Sequence, residues 1–348
     1  MNTTTSRPAV TGKLTLASRL DSLEQMIGQT PLLRICYRLD GNPAEVYAKY
    51  ESENMTGSIK DRMALYTLRI GYHTGRLHPG GIIVEASSGN TGISFAALGS
   101  ALGHPVRIYM PNWMSQERVN LMAGFGAEVI PVSREQGGFV GAVQLARHYA
   151  SEHEGVFQPL QFSNPDNIQA HRQVTGPEIA RQLQMFGCCP HAFVAGVGTG
   201  GSVMGVGSYL RQHWPDVQVH PLEPANSPTL RTGNKVGSHR IQGISDEFIP
   251  AIVDLNELDD IVDVWDGDAI LMAQKLCQTL GLAVGISSGA NLLGAIQLKQ
   301  QLGPAANVVT LLPDSNKKYL STDLCRKEPC RDEYLSPRID FEGFEAKR

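Results

Sequence analysis

The sequence predicts an α/β protein of two three-layer αβα domains with mostly parallel sheets, and three observations predict it. Short β-branched or aromatic runs at 46–50, 82–85, 106–109, 129–132, 193–195, 217–221 and 308–312 alternate with helical stretches. In those stretches, at 63–70, 93–102, 119–125, 143–150, 179–185 and 270–280, apolar residues recur three and four apart. Strand–helix alternation at this spacing calls for parallel strands with helices on both faces. The 348 residues exceed what one core usually serves, about 250–300, so two cores are expected. Finally, the 42% apolar content suffices to bury both and excludes a disordered chain.

Residues 1–20, polar and rich in Thr and Ser, read as a loosely attached arm. SNPDN at 163–167 reads as a turn between domains. Beyond Leu320 the pattern degrades, and the remainder reads as an extension wrapping the surface. A net charge of −4, with no dense basic run, argues against nucleic-acid binding. No apolar stretch reaches the roughly 18–20 residues that span a bilayer, and MNTTTSRPAV lacks the layout of a signal peptide. A cytoplasmic protein is expected. Six cysteines in a chain this long do not make a disulfide scaffold. Cys36 and Cys277 read as core, Cys188 and Cys189 as partly buried, and Cys325 and Cys330 as the better pair for a reversible disulfide. No His pair has metal-ligand spacing, so no metal is expected.

Three segments carry chemistry. GVGTGGSVMGVG, at 196–207, holds six of the chain's 36 glycines between an apolar strand and a helical pattern. Such a turn aims backbone N–H groups into one hollow at the positive end of a helix dipole, which suits a phosphate. Thr199 and Ser202 add hydroxyls. The competing reading is a dinucleotide loop, for which Glu223 lies near the required distance, although the glycine pattern does not line up. The plainer reading is a tight turn with positive φ, which would explain one glycine but not six. EASSGNTG, at 85–92, also joins a strand to a helix, and its Ser87, Ser88, Asn90 and Thr91 suit a carboxylate held by neutral donors. An ordinary helix cap needs only one of them. In MTGSIKDRMA, at 55–64, Lys60 sits early in a helix, where the dipole disfavours its cation. A lysine that gives up its proton readily can form a Schiff base with an aldehyde. Together the three describe pyridoxal phosphate and an amino-acid substrate.

At this point the chain resembles the β-substituting pyridoxal-phosphate enzymes that include cysteine synthase and cystathionine β-synthase, and is most similar to cysteine synthase (O-acetylserine sulfhydrylase). The resemblance spans 27–322 and rests on blocks in the family's order: IGQTPL, GSIKDR, SSGNTG, QFSNPDN with TGPEI, GVGTGG, IQGI, GISSGA and KYLST. It implies the tryptophan-synthase-β-like fold type II. It also implies Lys60 as Schiff-base lysine and acid/base at the substrate α-carbon, with Asn90 on the cofactor's 3′ oxygen. Gly198, Thr199, Gly200, Gly201 and Ser202 would cradle the phosphate, and Ser287 would meet the pyridine nitrogen. Ser88, Thr91 and Gln161, with Ser87 adjacent, would hold the substrate carboxylate. A neutral serine cannot keep the ring nitrogen positive, which favours loss of a β-leaving group directly after α-proton removal. The implied activity is β-substitution on an O-activated L-serine, O-acetylserine or O-phosphoserine, through an aminoacrylate, with sulfide adding to give cysteine. Homocysteine, thiosulfate or an amine are alternative nucleophiles. A catalytically silent relative is a further alternative, against which the presence of Lys60 counts.

The resemblance further implies a large cofactor domain (21–50 plus 164–322), a small mobile substrate domain (51–163) and a C-terminal extension (323–348). A homodimer and a contact with serine acetyltransferase are implied in the same way. Three departures stand out. Ser245, Asp246 and Glu247 follow IQGI where cysteine synthases have small residues. Asp314 stands where they more often have serine, and EQGGF at 135–139 resembles relatives that attach other nucleophiles. His171 and His239 are notable only for their position near matched blocks. Lys317 and Lys318, beside Tyr319, read as a solvated turn.

Overall fold

The computed structural model describes residues 14–244 and 247–348. Helix α1 (Leu16–Glu24) leads into an antiparallel hairpin of β1 (Leu32–Leu39) and β2 (Asn42–Tyr50). An alternating stretch follows: α2 (Lys60–His73), β3 (Ile82–Ala86), α3 (Asn90–Leu102), β4 (Val106–Pro111), α4 (Gln116–Gly124), β5 (Glu128–Val132), α5 (Gly138–Glu152) and β6 (Val156–Phe157). Then come α6 (Asp166–Ala170), a π-helical turn (His171–Thr175), α7 (Gly176–Met185), β7 (Ala192–Gly196), α8 (Gly201–His213) and β8 (Gln218–Pro224). The chain closes with α9 (Thr229–Thr232), β9 (Val262–Val264), α10 (Asp266–Leu280), α11 (Ile286–Leu302), β10 (Val308–Leu312) and β11 (Ile339–Lys347).

The strands form two sheets, in the orders β11-β1-β2-β10-β7-β8-β9 and β5-β4-β3-β6. The four-stranded sheet is parallel throughout, and the larger one is parallel except where β1 meets β2 and β11. The predicted α/β class with mostly parallel sheets therefore holds. Burial follows from the two-residue period of a strand. On β7, Phe193 joins Ile179, Val206 and Leu311 on one face, while Val194 joins Leu222, Leu292 and Ile296 on the other. In the small sheet, Ile83 and Ile108 pack on Leu68, Phe95 and Leu98, whereas Val84 and Tyr109 pack on Ala142 and Ala146.

Several expectations need correction, among them Cys189, expected to be partly buried but exposed. Residues 1–13 lie outside the described residues, but the end of the expected arm is helix α1, with Leu23 buried against the Met63 and Leu68 cluster. The C-terminal extension is not only a wrapping: its last segment is an antiparallel edge strand on β1, registered from Ile339 opposite Leu39 to Lys347 opposite Leu32. All six cysteines are free thiols. Cys36 and Cys277 are half-buried rather than core, and Cys325 and Cys330 are exposed. Among the described residues no helix is long and apolar enough to cross a membrane.

Candidate active site

One cleft opens between the C-terminal ends of the two parallel sheets, where loops leave the strands for helix N-termini. Of the residues singled out from the sequence, Lys60, Ser87, Ser88, Asn90, Thr91, Gln161, Gly198, Thr199, Gly200, Ser202 and Ser287 line it, while Gly201 lies just behind. Lys60 is the first residue of α2. Its helical neighbour Asp61 faces inward, accepting from the Thr56 backbone N–H and from the hydroxyls of Thr56 and Ser94, each at 2.6 Å.

The 85–92 loop divides its labour. The Ser87 Oγ accepts from the backbone N–H groups of Gly89 (3.1 Å) and Gly92 (2.9 Å), which closes the turn as a cap would. The Thr91 hydroxyl donates to Gln161 Oε1 at 2.6 Å, and Gln161 Nε2 donates to the Ala86 carbonyl at 2.6 Å. Burial pushes the Glu85 carboxyl up to about 7 even though it accepts backbone N–H groups from Ala86 and Gln161. The loop is not free of strong cations, as the sequence reading assumed. The Arg118 guanidinium, on α4, donates to the Ser88 carbonyl at 3.1 Å and lines the cleft, although the residue is only 4% exposed.

The glycine-rich turn is built by close approach. A Cβ on Gly198 would stand 2.2 Å from the Gly243 carbonyl oxygen, and one on Gly201 would stand 2.0 Å from Asn167 Oδ1. Gly200 adopts a φ of 85° immediately before α8. Gly205 and Gly207, counted with the others in the sequence, do not join the cup. They lie within α8, where the Ile168 carbonyl and Val219 leave no room for a side chain. Asn167 Nδ2 donates to the Gln161 carbonyl and to Thr199 Oγ1, both at 2.9 Å, and so ties the cup to the opposite wall. Behind Ser202, its hydroxyl meets His171 Nε2 at 3.3 Å, while His171 Nδ1 meets Thr175 Oγ1 at 3.0 Å. Burial, with the cations Lys60 and Arg62 nearby, holds His171 well below its ordinary range, so it is neutral and offers one donor and one acceptor. Glu223 lies apart from the cleft, fully buried and accepting from the Leu230 backbone at 2.6 Å. The dinucleotide alternative thereby loses its acidic residue.

Several lining residues escaped the sequence reading. Arg118 sits in a short helix that reads as an ordinary surface pattern, and Tyr319 follows two lysines that read as a solvated turn. Both Lys318 and Tyr319 are in fact 3% exposed. Asn291, which accepts from the Gly196 N–H at 2.8 Å and donates to the Leu311 carbonyl at 2.9 Å, lies inside a helix with no apolar stripe to mark its faces. Phe139 and Phe162 pack edge to face at 5.6 Å along one wall, and Phe162 does the same with Phe248 at 5.2 Å. Ser245 and Asp246 lie outside the described residues, while Glu247 pairs with Lys235 at 3.6 Å at the mouth.

Comparison with known proteins places this geometry. The family model described as "Pyridoxal-phosphate dependent enzyme" matches residues 23–314. A cysteine synthase of Staphylococcus aureus is 40% identical over 305 residues, 88% of this chain and 97% of that protein. The crystal structure of a hydrogen sulfide-producing enzyme from Fusobacterium nucleatum is 48% identical with a TM-score of 0.93, covering 95% of this chain and 99% of that one. An O-acetylserine dependent cystathionine β-synthase from Helicobacter pylori is 32% identical with a TM-score of 0.78, covering 86% and 97%.

Proposed function

The chain belongs to the pyridoxal-phosphate dependent enzymes and is an enzyme of the cysteine synthase type, with pyridoxal phosphate as its cofactor, and from this premise we propose that it replaces the β-substituent of an O-activated L-serine with sulfide to make L-cysteine. The observation that carries the reading is the convergence on one cleft of Lys60, the 85–92 loop, the glycine cup and Ser287. The residues fit the cofactor. Gly198 and Gly201 admit no Cβ, so backbone N–H groups reach the hollow at the start of α8, a donor set suited to a phosphate. Thr199 and Ser202 would add hydroxyls there, Ser287 would face the ring nitrogen and Asn90 the ring oxygen. When bound, the cofactor supplies an electron sink for the bond broken at the substrate α-carbon.

The chain's own residues do the rest. Ser88, Thr91 and Gln161 orient the substrate carboxylate, and Arg118 adds positive charge behind the Ser88 carbonyl. Lys60 takes the α-proton and later returns it. Because Ser287 is neutral, the sink is mild, and departure of the β-substituent follows proton removal. Closure of a small domain (51–163) on the bound carboxylate belongs to the same reading, since the carboxylate loop sits on that unit. A homodimer, a cytoplasmic location and a contact with serine acetyltransferase belong to it too, supported by the family likeness.

One observation favours a second reading, in which L-cysteine is the donor, sulfide leaves from the β-carbon and water takes its place to give L-serine. Identity to the hydrogen sulfide-producing enzyme is 48% over 95% of the chain, against 40% over 88% for the cysteine synthase. Removal and return of the α-proton by one base serves both reactions. The test is to offer O-acetyl-L-serine, O-phospho-L-serine and L-cysteine in turn, with sulfide, thiosulfate, homocysteine or no nucleophile, and read products by mass. Cysteine formed from O-acetylserine and sulfide supports the first reading. Sulfide released from cysteine alone, with no turnover of O-activated serines, replaces it with the second. No turnover with any donor defeats both.

A further inference from the structure

We propose that Asp314 and Lys318 are positioning residues that fix which way the Asn90 amide faces, so that the cofactor's ring oxygen meets an N–H donor rather than a carbonyl. The inference rests on the reading of Asn90 as the neighbour of that oxygen. Asp314 is 1% exposed, and its Oδ2 accepts from Asn90 Nδ2 at 2.7 Å and from the Tyr319 hydroxyl. On the other side of the same amide, Lys318 Nζ donates to Asn90 Oδ1 at 2.7 Å. A carboxylate has no hydrogen to give, and an ammonium has no lone pair to accept with. Flipping the amide would therefore break both bonds and set donor against donor and acceptor against acceptor. The flanking charges leave a single orientation. In it Oδ1 is engaged by Lys318, one Nδ2 hydrogen goes to Asp314, and the second remains for a group in the cleft that Asn90 lines. A ring oxygen there is favoured in its unprotonated form, because only that form accepts without competing for a proton.

The backbone of Asp314 supports the same arrangement. It forms an antiparallel bridge with Ser58, two residues before Lys60, and its carbonyl accepts from the Gly285 N–H at 3.0 Å, two residues before Ser287. One residue thus touches the approach to all three side chains expected around the ring. Its second oxygen, Oδ1, is buried without a hydrogen-bond partner and lies where a Cβ on Gly285 would approach to 2.2 Å. This places the carboxylate against the start of α11, whose dipole favours a negative charge. Burial lowers the proton affinity of Lys318, while the facing carboxylates of Asp314 and Asp61 raise it and Arg118 lowers it. As a neutral amine it could both donate and accept, and the Asp314 carboxylate would then set the orientation alone.

The experiment reads the absorption spectrum of the cofactor-loaded protein before any substrate is added, with cofactor content fixed by phosphate analysis. The wild type is expected to show mainly the long-wavelength band, at about 410 nm, over the band at about 330 nm of the protonated ring oxygen. Asp314→Ser and Lys318→Met should each lower the ratio of the two bands about threefold or more, the worth of one hydrogen bond, and Lys318→Arg should restore most of it. If Asp314→Ser does not fold, Lys318→Met alone reads the ratio, since it leaves the buried Asp314 carboxylate and its bond to Tyr319 in place. A wild-type ratio in both variants, while Asn90→Ala changes it, overturns the positioning role and leaves the reading of Asn90 standing. A wild-type ratio in Asn90→Ala overturns that reading and the inference with it.

Discussion

The first turn of α2 separates two polar clusters that look alike by burial and differ in what they face. On one side, Arg62 bonds Glu51 (Nε to Oε2, 2.6 Å) and Glu178 (Nη1 to Oε1, 2.8 Å), and Lys49 pairs with Glu178 at 2.8 Å. Burial opposes ionisation there, yet Arg62 and Lys49 hold Glu178 down to about 2, while burial draws Lys49 down to about 8 against its carboxylate neighbours. Two acids and two bases neutralise one another. On the other side, Lys60, Asn90 and Tyr319 line the cleft, with Asp314 and Lys318 behind them. That cluster ends in an amide with a hydrogen to spare. The difference teaches that burial of charge alone does not mark a site: the balanced cluster is closed on itself, and the one with a hydrogen to spare faces the cleft.

Lys60→Ala attacks the comparison most strongly. Turnover should fall about 10⁴-fold, as expected for loss of a general base, with thermal stability nearly unchanged. Arg62→Met, two residues away, should do the reverse. It strands Glu51 and part of Glu178 as unpaired buried charge, at a cost of about 3–5 kcal/mol in denaturant unfolding, while the protein that remains folded keeps its absorption spectrum. If the two variants fail in the same way, the division between the clusters is wrong.

Glu85 sharpens the contrast, because it is a buried carboxyl held by backbone donors rather than by a close cation. Its affinity is raised from 4.5 to about 7, so between those values the folded chain holds a proton that the unfolded chain has released. Its contribution is therefore fully present below pH 4.5, falls as pH rises through the window and is gone above about 7. The total is on the order of 3 kcal/mol. His171 acts oppositely, since burial makes the folded chain bind its proton less well. Urea titrations of Glu85→Gln against wild type across this range isolate the glutamate: the variant should lose the decline, and parallel curves would show that Glu85 does not titrate there. The smallest effect concerns the two adjacent lysines. Lys317 is exposed and Lys318 buried, so Lys317→Ala should stay within about 0.5 kcal/mol of wild type and leave the spectrum alone.

Much of this was legible in the sequence, for identifiable physical reasons. The strands of the parallel sheets are apolar runs because both faces are covered, and the cleft loops announced themselves through glycine and small hydroxyl residues at strand–helix junctions. Helix α11 escaped because it is buried nearly all round, so ANLLGAIQL shows no polar face to set its period. The strand β11 escaped because it is a half-exposed edge, with DFEGFEAK too charged to read as a strand. Lys318 reads as solvated because adjacent lysines look hydrophilic, yet it is buried. Its ammonium meets Asn90, 228 positions away, while the Arg118 guanidinium lies over the neighbouring Tyr319 ring, contacts that no local pattern displays.

The central claim is that Lys60, and no other lysine, carries pyridoxal phosphate in this cleft. Borohydride reduction of the purified protein, followed by proteolysis and peptide mass mapping, tests it directly. The reduced cofactor's mass is expected on the peptide containing Lys60 and on no other. The same mass on Lys318, a buried lysine beside Asn90, or on no lysine at all, would rule this out.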